Sequence, residues 1–251
     1  MSFSIDISEE AGVRYLHFGS AWVQGAMRIA RPWNLELEYT REMMACLLLR
    51  DDTSWPRKIL LIGLGAASLT KFLYINFPLV HLTIVEIEPD VVAAARQFFK
   101  LPEDSKRIHM VIGDGAEFVH GTDKKFDLIL VDGFNEHAHP GQLNTLTFYQ
   151  ACRCRLNNKG LLAVNLLGLS RGVLGGFAHI STAFADRALM FPSCESGNTI
   201  AFAAEGEPIE ISLDDLKENA LVLKKEVGLN LLPTLARLTQ AKTCLNSKLI
   251  L

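Results

Sequence analysis

Four short stretches combine residue types and spacings that can do chemistry. Gly63-Leu64-Gly65-Ala66-Ala67-Ser68 follows an apolar run and precedes a helical pattern. Glycines there permit a tight turn and bring a ligand close to main-chain N–H groups at a helix N-terminus. Such a loop also ends strands for purely structural reasons. Glu86 closes the next apolar run, 21 residues after Gly65. A carboxylate at that point can accept both hydroxyls of a ribose, or be a solvated strand-end acid. Gly113-Asp114-Gly115 follows a third run, where an acid can accept from an adenine amino group; the bland alternative is an Asp-Gly turn. Asp132 closes a fourth run, a position at which open α/β sheets place ligands and catalytic groups, and at which helix caps also occur.

The elements that must position these groups follow from the period of the apolar residues. Segments 58–62, 82–86, 109–112, 127–132 and 160–166 read as strands, with two more at 188–191 and 199–204. Helices are expected over 68–77, 89–99, 143–156 and 173–185, with Pro89 at a favoured first-turn position. This alternation implies an α/β fold with a parallel sheet and helices on both faces. Ser212 opens a C-terminal helix carrying Asp214 and Asp215 in its first turn, and a second short helix follows Pro233. Residues 1–35 differ. They read as a hairpin of 4–7 and 13–18 around a Glu-Glu-Ala-Gly turn, plus a short strand pair over 22–29. A helix over 35–49 then leads into the main domain, so the expected division is 1–35 and 36–251. The four chemical stretches fall at the C-terminal ends of four successive strands. Together they point to a nucleoside-bearing ligand, S-adenosylmethionine or a derivative rather than NAD, because nicotinamide dehydrogenases have no general need of an acid at 114.

Composition narrows the class. The chain has 251 residues, 49% apolar and 21% charged, which excludes disorder and supplies a sizeable core. A net charge of −3 disfavours nucleic-acid binding. No apolar stretch is long enough to span a bilayer, and no signal peptide is visible, so a cytoplasmic protein is expected. Cys46, Cys152, Cys154, Cys194 and Cys244 are odd in number and lack zinc-ribbon spacing, and they read as reduced thiols. His137 and His139 have no obvious third ligand nearby, so no metal is expected.

On these residues the chain resembles the spermidine synthase (polyamine aminopropyltransferase) family, which has the class I S-adenosylmethionine-dependent methyltransferase fold. The resemblance runs from about Val13 to Ala204. Trp22-Val23-Gln24 looks like the Gln that ends the family's opening β segment. Tyr39-Thr40-Arg41-Glu42-Met43-Met44 is similar to its Tyr-x-Glu-Met helix, with Tyr39 one position early. Gly63-Leu64-Gly65-Ala66-Ala67 corresponds to the family's Gly-Gly-Gly-Asp-Gly, Val85-Glu86-Ile87-Glu88 to Val-Glu-Ile-Asp, and Gly113-Asp114-Gly115 matches outright. Asp132-Gly133-Phe134-Asn135 corresponds to Asp-Ser-Ser-Asp.

The resemblance implies a Rossmann-like, doubly wound, seven-stranded and mostly parallel sheet with a short N-terminal β segment. It implies roles by position. Gln24 would touch the tail or sulfur end of the co-substrate, Gly63 and Gly65 would form its loop, and Glu86 would hold its ribose. Asp114, with Gly115, would take the adenine. Asp132 would act on the attacking amine, and Tyr39, Asn135 and Glu136 would line the acceptor pocket. Ala66 and Asn135 replace two family carboxylates. That matters because a diamine such as putrescine is a dication at neutral pH and needs paired negative charge in a water-poor cleft.

The implied reaction moves an aminopropyl group from decarboxylated S-adenosylmethionine to a small-molecule amine, with no metal. The leaving group is a neutral thioether, so no general acid is required, while a carboxylate must position the amine and take its proton. Two rivals stay open: a methyltransferase using S-adenosylmethionine, and a non-catalytic nucleoside-binding relative. Strand edges and Trp22 and Trp33 in the N-terminal segment favour a homodimer.

Overall fold

The computed structural model describes residues 4–19, 22–50, 52, 54–134, 139–167, 170–192, 197–240 and 244–251. β1 (Ile5–Glu10) and β2 (Val13–Phe18) form the expected hairpin. Its turn is Ala11-Gly12 alone. Both residues have positive φ, which suits the twist of the paired strands. Glu9 and Glu10, expected in the turn, instead continue β1. Over 22–29 one strand forms rather than a pair: β3 (Gly25–Arg28) joins β2 and completes a three-stranded sheet. The helical pattern of 35–49 divides into α1 (Glu38–Met43) and a tighter 3-10 turn, Met44–Leu49.

The βα alternation then runs as β4 (Lys58–Ile62), α2 (Ser68–Asn76), β5 (His81–Glu86), α3 (Pro89–Phe98), β6 (Ile108–Ile112), α4 (Gly115–Gly121) and β7 (Phe126–Val131). It continues with α5 (Leu146–Cys154), β8 (Leu156–Leu166), α6 (Ser170–Ala183), β9 (Ala188–Pro192) and β10 (Thr199–Ala204). The sheet order is β6-β5-β4-β7-β8-β10-β9, with β10 antiparallel to both neighbours. This is the seven-stranded, mostly parallel sheet of the class I methyltransferase type. β5 and β6 lie on one side of β4, and β7 with the rest on the other, so the winding reverses between β4 and β7.

Alternation along the strands sorts the core into two layers. Ile59, Leu61, Leu128 and Leu130 face one apolar cluster, and Leu60, Ile62, Ile129 and Val131 face the other. Leu16, Phe18 and Met27 of the N-terminal sheet pack into the first cluster. Three departures from the sequence reading have local causes. α4 exists because the Asp114 carboxylate caps it. α5 starts at Leu146, after a 3-10 turn over Gly141–Asn144, with the Thr145 hydroxyl accepting from the Phe148 N–H. β8 begins four residues early and is accommodated by an irregularity in the register between Phe126, paired with Leu156, and Leu128, paired with Leu161.

At the C-terminus β11 (Glu210–Ser212), α7 (Leu213–Val227), α8 (Leu232–Leu238), β12 (Cys244–Leu245) and β13 (Lys248–Ile250) follow. Ser212 caps α7, and Gly228, with positive φ, ends it. The small sheet β11-β13-β12 was not expected, because strands of two or three residues carry no readable period. Among the described residues Cys46, Cys152, Cys154 and Cys244 are free thiols, and Cys194 lies outside them. Among the described residues no helix is long and apolar enough to cross a membrane.

Candidate active site

The crevice at the reversal point is the place where an open α/β sheet binds ligands. There β4 and β7 stay paired to their last residues: the Asp132 N–H donates to the Ile62 carbonyl at 2.9 Å. Gly63 then turns away with φ +93, and a Cβ on it would lie 2.2 Å from the Asp132 carbonyl oxygen. Only glycine permits that conformation at that separation. Above this joint opens a cavity of about 590 Å³, within the range of small-molecule sites.

One half of the cavity is built from strand-end loops. Gly65 and Ala67 both have positive φ, and the Ala67 N–H closes the turn onto the Leu64 carbonyl at 2.9 Å. Glu86 is buried, and its two oxygens accept from the main-chain N–H groups of Leu64 at 2.8 Å and Glu88 at 3.0 Å. Burial pushes its carboxyl above the usual range, against the opposing pull of these N–H groups. Asp114 lines the same space but also caps α4, with Oδ1 accepting from Ala116 at 2.7 Å and Glu117 at 3.0 Å. Gly115 answers to packing: a Cβ there would lie 2.4 Å from Ile62 Cγ2. Gln24 borders the cavity from the entry to β3, and its carbonyl would lie 3.2 Å from a Cβ on Gly65. Ala66, the residue standing for a family aspartate, is buried against Gly25, where a Cβ would lie 2.6 Å from its own Cβ.

The other half is made of side chains bonded to one another. Tyr39 of α1 donates its hydroxyl to Asp132 Oδ2 at 3.1 Å, and Asn165 at the end of β8 donates Nδ2 to Asp132 Oδ1 at 2.9 Å. Asn198, just before β10, donates Nδ2 to Asn165 Oδ1 at 2.7 Å. Burial raises the Asp132 carboxyl, and the Asn165 and Tyr39 bonds oppose that rise. Burial and the neighbouring Asp132 charge hold the Tyr39 phenol protonated, well above its ordinary range. Behind Tyr39, α1 is anchored by Arg237 of α8, which pairs with the fully buried Glu42 and lies 4.0 Å from Glu38. Glu36 also borders the cavity, but Arg28 takes both its oxygens. Asn135 and Glu136 lie outside the described residues. Asn165 and Asn198 were not singled out from sequence. The available signal was Asn165 itself, the lone polar residue in the apolar run 160–166.

These residues fit an adenosyl sulfonium ligand. Glu86 is a buried acid at the cavity wall with no ion-pair partner among the described residues, which suits a pair of ribose hydroxyls. The glycine loop leaves main chain rather than side chain facing the space. Among the described residues no group of three His, Cys, Asp or Glu is placed to hold a metal ion. His139 borders the cavity, and His137 lies outside the described residues.

The chain is similar in sequence and in fold to known proteins. The family model for the spermine/spermidine synthase domain matches residues 37–165. The chain is 34% identical over 236 residues to the polyamine aminopropyltransferase of Chromobacterium violaceum, covering 94% of this chain and 89% of that protein. Its fold is similar to that of a probable spermidine synthase from Corynebacterium glutamicum, with TM-score 0.72 and 20% identity over 86% of this chain and 83% of that one. It is also similar in fold to human methyltransferase-like protein 13 in complex with SAH, with TM-score 0.69 and 24% identity over 76% of this chain and 93% of that one.

Proposed function

Since the chain belongs to the spermine/spermidine synthase family, we propose that it is a polyamine aminopropyltransferase, moving an aminopropyl group from decarboxylated S-adenosylmethionine to a small amine such as putrescine. The observation that carries this reading is Asp132: a carboxylate at the sheet's reversal point, bonded through both oxygens and facing the same cavity as Glu86.

The donor supplies a carbon activated by a positively charged sulfur. The protein's part is to bind, orient and deprotonate. Glu86 takes the ribose and the glycine loop gives close main-chain approach. Asp114 takes the adenine end and Gln24 borders the donor's tail. The attacking amine arrives protonated, since its pKa is near that of lysine. Asp132 accepts a hydrogen bond from it and takes or relays its proton, and a carboxyl raised by burial is a better base near neutral pH than an ordinary aspartate. Tyr39 keeps its proton and holds Asp132 in aim. Asn135 and Glu136 complete the acceptor end in this reading. The protein acts in the cytoplasm as a homodimer paired through the N-terminal sheet, where Trp22 is 62% exposed; sedimentation giving only monomer at micromolar concentration would refute that pairing.

The test is incubation with decarboxylated S-adenosylmethionine and putrescine, followed by mass spectrometry. An aminopropylated product supports the reading. Methylation of an acceptor from S-adenosylmethionine, without aminopropyl transfer, replaces it with the methyltransferase alternative. Nucleoside binding with neither product, across a broad amine panel, replaces it with a binding role.

A further inference from the structure

Asp132, Asn165 and Asn198 form a chain of hydrogen bonds with one sense of direction. An ionised carboxylate can only accept, so Asn165 must present its N–H₂ to Asp132. Its carbonyl oxygen then points the other way and must be met by a donor. Asn198 supplies that donor at 2.7 Å, and both asparagines are buried, 5% and 6% exposed. The arrangement favours an unprotonated Oδ1, while a proton on Oδ2 requires the Tyr39 hydroxyl to turn from donor to acceptor. A proton on Asp132 Oδ1 would confront the Asn165 N–H₂ with another donor, and relieving that conflict requires both amides to turn over.

We propose that Asn198 is a positioning residue, whose side-chain amide locks Asn165 in the orientation that delivers an N–H to Asp132 and so keeps that carboxylate aimed and ionised. The inference deepens the transferase reading and rests on it for what Asp132 does, but the chain of bonds stands whichever group is transferred. Burial favours protonation of Asp132, and donors at both oxygens counter it. Among the described residues Tyr39, from α1, is the titratable group bonded to Asp132. Glu86, Asp114, Glu36, Glu38, Arg41 and His139 border the same cavity from β5, the turn before α4, the approach to α1, α1 itself and the wall before α5. None of these charges is substituted in the test, so their influence is common to all variants.

The experiment follows Asp132 itself. Carboxyl-¹³C aspartate is incorporated, and the Asp132 resonance is assigned by its loss in Asp132→Asn. In Asn198→Leu, nearly isosteric but without a donor, and in Asn198→Ala, its titration should move upward by roughly 0.5 to 1 on the pH scale, a three- to tenfold change in proton affinity. An unchanged titration in either folded variant overturns the proposal. In the wild type the side-chain amide signals of Asn165 and Asn198 should shift together with the Asp132 titration; signals that stay flat overturn it without any variant. Turnover gives a further readout. The acid limb of kcat should move up by the same amount with donor affinity unchanged, whereas a merely structural role would lower the amount of active protein and leave the limb in place. If the wild type transfers no aminopropyl group, the function proposed above fails, while the titration still decides the role of Asn198.

Discussion

In the half of the cavity proposed to take the donor, the lining acids and loop come from three consecutive strand ends: the loop after β4, Glu86 at the end of β5, and Asp114 after β6, with Gln24 beside them. In the half proposed to take the acceptor, the polar side chains come from four places far apart in the chain, namely Tyr39, Asp132, Asn165 and Asn198. The donor half is held by bonds to main chain: Glu86 to Leu64 and Glu88, Asp114 to Ala116 and Glu117. The acceptor half is held by bonds between side chains. Main-chain bonds tolerate changes in neighbouring side chains, whereas in a network of side chains a change in one member alters the bonds of the others. The two halves meet where Gly63 lies against the Asp132 carbonyl.

The strongest way to separate the halves is Asp132→Asn. Turnover should fall about 10²–10⁴-fold, the usual worth of a general base, while donor affinity stays as it was. Calorimetric loss of donor binding in this variant would show that the halves are not separable, and wild-type turnover would refute the catalytic assignment. Gly63→Ala should instead damage both halves. Overpacking against the Asp132 carbonyl costs about 1–3 kcal/mol and a left-handed non-glycine residue about 1–2 kcal/mol more, read as a lower urea midpoint together with weaker donor binding.

Glu86→Ala should weaken donor binding by about 10- to 150-fold, the loss expected for a charge-assisted acceptor of about 1.5–3 kcal/mol. The structure adds a second expectation. Glu86 ties β5 to the glycine loop, so stability should also fall, by about 1–3 kcal/mol, as the N–H groups of Leu64 and Glu88 lose their acceptor. Unchanged affinity by calorimetry would remove Glu86 from the ribose site, and unchanged stability would mean that the loop finds its acceptors elsewhere.

The smallest effect concerns stability and pH. Asp132 has a folded-state pKa above its unfolded value, so the native state binds the proton more tightly. Its ionisation therefore costs stability as pH rises through the window between those two values. At pH 7 Asp132→Asn should melt higher than wild type by about 2–4 °C, the shift that roughly 1 kcal/mol produces in a chain of this size. The difference should shrink as pH falls below the ordinary aspartate range, where the wild type is protonated in both states. A variant that melts lower at pH 7 would mean that the bonds from Tyr39 and Asn165 outweigh the cost of the buried charge.

The donor half was the more legible half. A glycine loop after an apolar run, an acid 21 residues on, and a Gly-Asp-Gly after the third run are local patterns, and the βα alternation placed each at a strand end. Even there the second duties were invisible: Asp114 as the cap of α4, Gly115 as a contact for Ile62, and Glu86 as a brace for the loop. In the acceptor half Asp132 was named from its place at a strand end and Tyr39 by family resemblance, but their bond was not foreseen, and Asn198 gave no signal at all. The Arg237 anchor behind α1 was equally hidden, since an arginine in a short amphipathic helix reads as a solvated residue.

The sequence by itself determined the class of the protein. Apolar period sets strand and helix, alternation of the two sets a parallel sheet, and the end of a strand in such a sheet is where a ligand binds. Those are short-range rules, and they carried the fold from β4 to β10 with boundary errors of a few residues, apart from α4, which the sequence reading did not include. Tertiary structure alone decided that Asp132 meets Tyr39, that Asn165 stands between Asp132 and Asn198, and that Arg237 reaches Glu42. Each of these joins residues from separate elements by direct polar contact, a reach that depends on strand order, register and side-chain direction together. No local pattern encodes such a separation, because it is the sum of every packing choice made between the two residues.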